Sequence, residues 1–91
     1  MYSLKDITVI VPTTLDNISK DWISQINSYS NKNVSVIIII PPNIISKKIQ
    51  KINLSKDIKV LISKEKGQVS QRQYGYMFTK TKLILNMDDD I

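Results

Sequence analysis

At 91 residues, with 42% hydrophobic and 23% charged side chains, the chain has the size and balance of one small globular domain spanning 1–91. It contains no cysteine and no histidine, which excludes disulfide frameworks, thiolate metal sites and imidazole acid–base chemistry; metal or proton chemistry falls to Asp, Glu, Lys or Tyr. The net charge of +5 comes from scattered lysines with a single arginine, Arg72, and this argues against nucleic acid as a partner, because groove and single-strand binders use arginine clusters and interleaved aromatics.

The N-terminal stretch lacks an apolar core of signal-peptide length, and the longest apolar run, Val36 to Ile40, is too short to span a bilayer. A soluble, cytoplasmic protein without a membrane segment is expected. Ile7 to Val11 is β-branched throughout and stops at Pro12-Thr13-Thr14, the pattern of a strand buried on both faces. Asp16 or Asn17 is positioned to cap a following helix of about three turns, in which Ile18, Trp22, Ile23, Ile26 and Tyr29 recur at helical spacing.

Val34 to Ile40 predicts a second, central strand, halted by Pro41-Pro42-Asn43. Ile44, Ile45, Lys48, Ile49 and Ile52 suit a short helix, and Ile58 to Ile62 a third strand. Gly67 opens a further helix, Gln68 to Phe78, with Val69, Arg72, Tyr76 and Met77 at helical spacing and Gly75 inside it. Leu83 to Met87 predicts the fourth strand, and Asp88-Asp89-Asp90 follow it directly.

Alternating strands and helices with continuously apolar strands predict an α/β fold, a Rossmann-like parallel sheet with helices on both faces. Right-handed crossovers then bring the strand C-terminal ends to one edge, where open α/β sheets bind ligands. Pro12-Thr13-Thr14, Pro41-Pro42-Asn43, Ser63-Lys64 and Asp88-Asp89-Asp90 are all expected along it.

Carboxylates there are hard oxygen ligands suited to magnesium or manganese, ions commonly shared between protein carboxylates and substrate phosphates. A solvated acidic terminus is the alternative. Thr13 and Thr14 offer hydroxyls and backbone amides to a nucleotide, or form a simple turn. The Arg72 guanidinium suits bidentate phosphate binding, with a surface salt bridge as its other reading. Trp22, Tyr74 and Tyr76 read as core or half-buried packing residues. Only Gly67 and Gly75 occur, so neither glycine-rich phosphate loop is present. A receiver-type phosphoacceptor domain is disfavoured because Pro12-Thr13-Thr14 stands where its carboxylates belong.

Four segments in order resemble the N-terminal, donor-binding half of a family 2 glycosyltransferase with the A-type glycosyltransferase fold. They are Ile7 to Thr14, the strand Val34 to Ile40, Gly67-Gln68-Val69-Ser70-Gln71-Arg72-Gln73-Tyr74-Gly75, and Leu85-Asn86-Met87-Asp88-Asp89-Asp90. The resemblance implies that Pro12, Thr13 and Thr14 line the nucleotide of a nucleotide-diphosphate sugar and that Arg72 contacts its base or phosphate. The acidic triplet resembles the family's DxD motif, with Asp88 and Asp90 on a manganese or magnesium ion and Asp88 and Asp89 near the ribose. Asn43 stands where many relatives carry a base-pairing aspartate.

The resemblance further implies polysaccharide biosynthesis as the setting, and an acceptor site and catalytic base in a C-terminal half beyond Ile91. The chain is then expected to bind donor without completing transfer. Its fourth strand is expected beside the first, with an apolar outer edge open to self-association. A non-catalytic α/β interaction module is the rival reading.

Overall fold

The structure of the chain, a computed structural model, describes residues 4–15, 19–42, 54–65 and 67–87. A 3-10 turn, Leu4–Asp6, leads into β1 (Ile7–Pro12), and then follow α1 (Lys20–Asn31), β2 (Ser35–Ile40), β3 (Lys59–Ile62), α2 (Gln68–Met77) and β4 (Leu83–Asn86). The helix expected over Ile44 to Ile52 lies outside the described residues. The four strands form one parallel sheet in the order β3-β2-β1-β4. This is the expected α/β architecture, with β2 internal and β4 beside β1.

The side chains of β1 and β2 alternate between two buried faces, which explains why neither strand shows polar alternation. Val9 and Val11 of β1 and Val36, Ile38 and Ile40 of β2 pack with Trp22 and Ile26 of α1. Ile10, Ile37 and Ile39 turn to the opposite face, where Leu61 of β3 and Tyr74 of α2 pack on them. The register Val9↔Val36, Ile10↔Ile37 and Val11↔Ile38 keeps each set on its own side. Ile10, Ile26, Ile38, Ile39 and Ile40 are all below 2% exposed. Each such burial contributes about 2 kcal/mol against the entropy of ordering the chain.

The first helix is capped by Ser19, not by Asp16 or Asn17, which lie outside the described residues. Ser19 Oγ accepts from the Trp22 amide at 3.1 Å, so the helix starts at Lys20. Its apolar face is the expected one: Trp22 and Ile26 are buried, and Ile23 and Tyr29 are half-buried. It ends where Asn33 takes a left-handed φ of 68°, a conformation asparagine tolerates better than most residues.

The inward face of α2 differs from the sequence expectation. Val69 and Met77 are 68% and 77% exposed, Tyr76 is exposed with its hydroxyl 2.9 Å from Asn86 Oδ1, and the buried positions are Gln71 and Gly75. A Cβ built on Gly75 would lie 2.7 Å from Ile39 Cδ1 and 3.2 Å from Ile10 Cγ2, so the missing side chain lets the helix close onto the sheet. Hydropathy cannot flag such a face, because neither glutamine nor glycine reads as apolar.

Among the described residues no helix is long and apolar enough to cross a membrane.

Candidate functional site

The parallel pairing places the C-terminal ends of all four strands on one edge. β1 ends at Pro12, which is fully buried. Thr13, 3% exposed, continues the ladder: its amide donates to Ile39 O at 3.0 Å. Its hydroxyl accepts from the Leu15 amide at 2.9 Å, closing a local turn. The expectation of a free amide at Thr13 is therefore corrected, because the proline ends the β1 pattern one residue before the sheet stops bonding. Thr14 is half-buried beside it.

Leu15 then turns the chain through a left-handed φ of 66°, although its side chain joins the core at 8% exposure. A branched residue in that region costs about 1–3 kcal/mol, and such strain clusters at binding sites. Core burial of the leucine and the Thr13 hydroxyl hold the turn.

On the β3 side, Ser63 extends the sheet in the same way. Its amide donates to Ile40 O at 2.9 Å, and its hydroxyl donates to Glu65 O at 2.6 Å. Gly67 follows with φ 124°, a conformation that L side chains rarely adopt, and serves as the N-cap of α2. A Cβ built there would meet nothing within 4 Å beyond its chain neighbours, so the glycine is required by backbone conformation and not by a crowded neighbour.

Gln71 ties these pieces together. Its side chain is 3% exposed, and Nε2 donates to Ile39 O at 2.7 Å, with a longer 3.5 Å approach to Thr13 O. Its Oε1 accepts from the Gly67 amide at 3.3 Å, one of the donors that a helix start leaves without an intrahelical partner. One amide group thus joins β2, the loop after β1 and the N-terminus of α2. Sequence reasoning missed this role. The signal was the spacing Gly67, Gln71, Gly75, a row four residues apart along one helix face, with a glycine at 75 where the helix meets the sheet.

Arg72 is the next residue of α2 and is half-buried. Thr13 and the first half of α2 are therefore joined directly at the expected edge. The chain also returns there in β4: the Met87 amide donates to Ile10 O at 2.9 Å, two residues before Pro12. Asn43, Asp88, Asp89 and Asp90 lie outside the described residues. Among the described residues no group of three acidic side chains gathers as a metal site. By residue type, the aspartates that follow Met87 in the sequence carry hard oxygens of the kind that suit magnesium or manganese.

Comparison with known proteins finds no matching family model, no matching curated protein and no matching solved structure.

Proposed function

We propose that the chain binds the nucleotide-diphosphate sugar donor of a glycosyl transfer reaction, with a divalent cation, in the manner of the donor half of a family 2 glycosyltransferase. The observation that supports this reading is the position of β4. It pairs with β1 in parallel, so Met87, the residue that precedes the acidic triplet in the sequence, lies beside the strand that leads into Pro12-Thr13-Thr14. A ligand seated over the β1 and β4 ends would meet both segments, at the point where the strand order reverses direction.

In this proposal Thr13 and Thr14 line the nucleoside, and Asn43 takes part in base recognition. Arg72 places a fixed cation and a planar donor fork near the diphosphate. The N-terminus of α2 adds a partial positive charge at the same edge. Asp88 and Asp90 hold the cation, and Asp89 assists at the ribose. When bound, the divalent ion neutralises charge on the departing nucleoside diphosphate.

The experiment is isothermal titration with a panel of nucleoside diphosphates, with and without manganese, on the wild-type chain and an Asp88→Ala/Asp90→Ala variant. Metal-dependent binding that disappears in the variant supports the proposal. A folded wild-type chain that binds none of the panel refutes it. One observation favours the rival reading of an α/β interaction module: Leu83, Ile84 and Leu85 of β4 are 37%, 39% and 56% exposed.

A further inference from the structure

We infer that the edge formed by the N-terminal ends of the four strands docks peripherally on an anionic lipid bilayer, with lysines on the lipid phosphates and Leu4 entering the interface. The lysines are dispersed along the sequence because they belong to the entries of different strands. Lys5 precedes β1, Lys32 precedes β2, Lys56 precedes β3 and Lys59 begins it, and Lys80 and Lys82 precede β4. All four strands run parallel, so these entry segments come to one edge, opposite the edge that carries Thr13 and Gln71. The fold gathers what the sequence disperses.

All six of these lysines are exposed, and of the described lysines only Lys20 and Lys64 lie elsewhere. Among the described residues the same edge carries two carboxylates, Asp6 and Asp57. Both helices also end there, each contributing about half a negative charge. The lysines still leave an excess of about three positive charges. They border one continuous surface. A hollow of ≈ 190 Å³ is lined by Lys59 and Lys80 together with Thr8, Ser35, Thr81 and Asp57. A second hollow shares Ser35 and Asp57 with it and reaches Lys5 and Asn33.

The mixture of lysine and exposed apolar side chains fits a lipid surface better than a nucleic acid. Leu4 is 50% exposed beside Lys5, and Phe78 is 42% exposed between the end of α2 and Lys80. Nucleic-acid surfaces use arginine forks and stacked aromatics, whereas the single arginine, Arg72, stands in the first half of α2, away from this edge. Lipid phosphates present a plane of charge that flexible ammonium groups can follow, and apolar side chains at the same level enter the boundary with the acyl chains. Attachment of this kind is reversible and needs no membrane-spanning segment.

The test is flotation of the whole chain with vesicles of phosphatidylcholine, alone or with about a third phosphatidylglycerol, at low and at high salt. Binding is expected only with the anionic lipid and is expected to fall as salt rises. Lys56→Glu/Lys80→Glu should weaken it by about twentyfold or more, since each lysine near the surface contributes about fivefold. Lys20→Glu/Lys64→Glu makes the same change of net charge at the other edge and should stay within about twofold of wild type. Asp57→Asn should bind about fivefold more tightly, and Leu4→Asn about fivefold less. Circular dichroism confirms that each variant remains folded. A folded wild type that ignores anionic vesicles overturns the inference. So do equal losses in the two double variants, which would trace binding to net charge alone, or an Asp57→Asn or Leu4→Asn variant that binds as wild type does. Capture of single-stranded oligonucleotides in place of vesicles would assign the edge to nucleic acid and likewise overturn it. Nucleotide is absent throughout, so the outcome is separate from the titration that tests donor binding.

Discussion

Gln71 Nε2 donates to the backbone carbonyl of Ile39 across 2.7 Å, and that same carbonyl also accepts from the Thr13 amide at 3.0 Å. Both lone pairs of one carbonyl at the end of β2 are thereby used, one by the loop after β1 and one by α2. The candidate edge is held in shape by this shared acceptor.

Replacing Gln71 separates shape from hydrogen bonding. Gln71→Met keeps the length but loses the donor, and is expected to cost about 1 kcal/mol. Gln71→Glu sets a buried carboxylate against carbonyl oxygens and is expected to cost more. Burial raises the folded-state pKa of that glutamate, so the variant binds its proton more tightly when folded. It should therefore be closest to wild type at pH values below the ordinary glutamate value of about 4.3, and lose stability as pH rises through the folded value. Urea midpoints across pH give the answer; equal midpoints for the two variants at neutral pH would contradict the assigned geometry.

Gly75→Ala should destabilise although alanine is the better helix former. The propensity gain is about 1 kcal/mol, whereas forcing a methyl into a packed core costs about 1–3 kcal/mol. Ile39 and Ile10, the residues it would meet, are both 0% exposed and have little room to yield. Ile39→Val removes the nearest methyl, so the double variant should lose less than the sum of the single losses. A Gly75→Ala protein that melts at or above wild type would show that α2 sits farther from the sheet.

Ser19→Ala removes the oxygen that accepts from the Trp22 amide and should cost about 1 kcal/mol, while Ser19→Asp should be tolerated. Thermal denaturation followed by far-ultraviolet circular dichroism reads both. Equal losses in the two variants would mean that the side chain does not act as the cap.

Arg72→Lys tests the donor-binding proposal without removing charge. Lysine cannot reproduce the planar two-point contact of guanidinium with a diphosphate, so affinity for nucleoside diphosphates should fall by about tenfold. Unchanged titration curves would remove Arg72 from the proposed site.

The sequence determined by itself the α/β class, the four strands and the packing face of the first helix. Those features come from short-range patterns: β-branched runs, proline stops and apolar residues at helical spacing. Trp22 and Ile26 follow this rule and are buried as expected. Tertiary structure alone decided the inward face of α2, since Gln71 and Gly75 are buried by what they meet on β1 and β2 and not by their own hydropathy. It also decided the state of Thr13, whose amide is taken by Ile39, a residue 26 positions away in the chain. The pairing of β4 with β1 is likewise non-local; the family resemblance implied it where periodicity could not, and in the structure it brings Met87 beside Ile10. Periodicity records which residues avoid water; it does not record which backbone groups, far apart along the chain, become one another's partners.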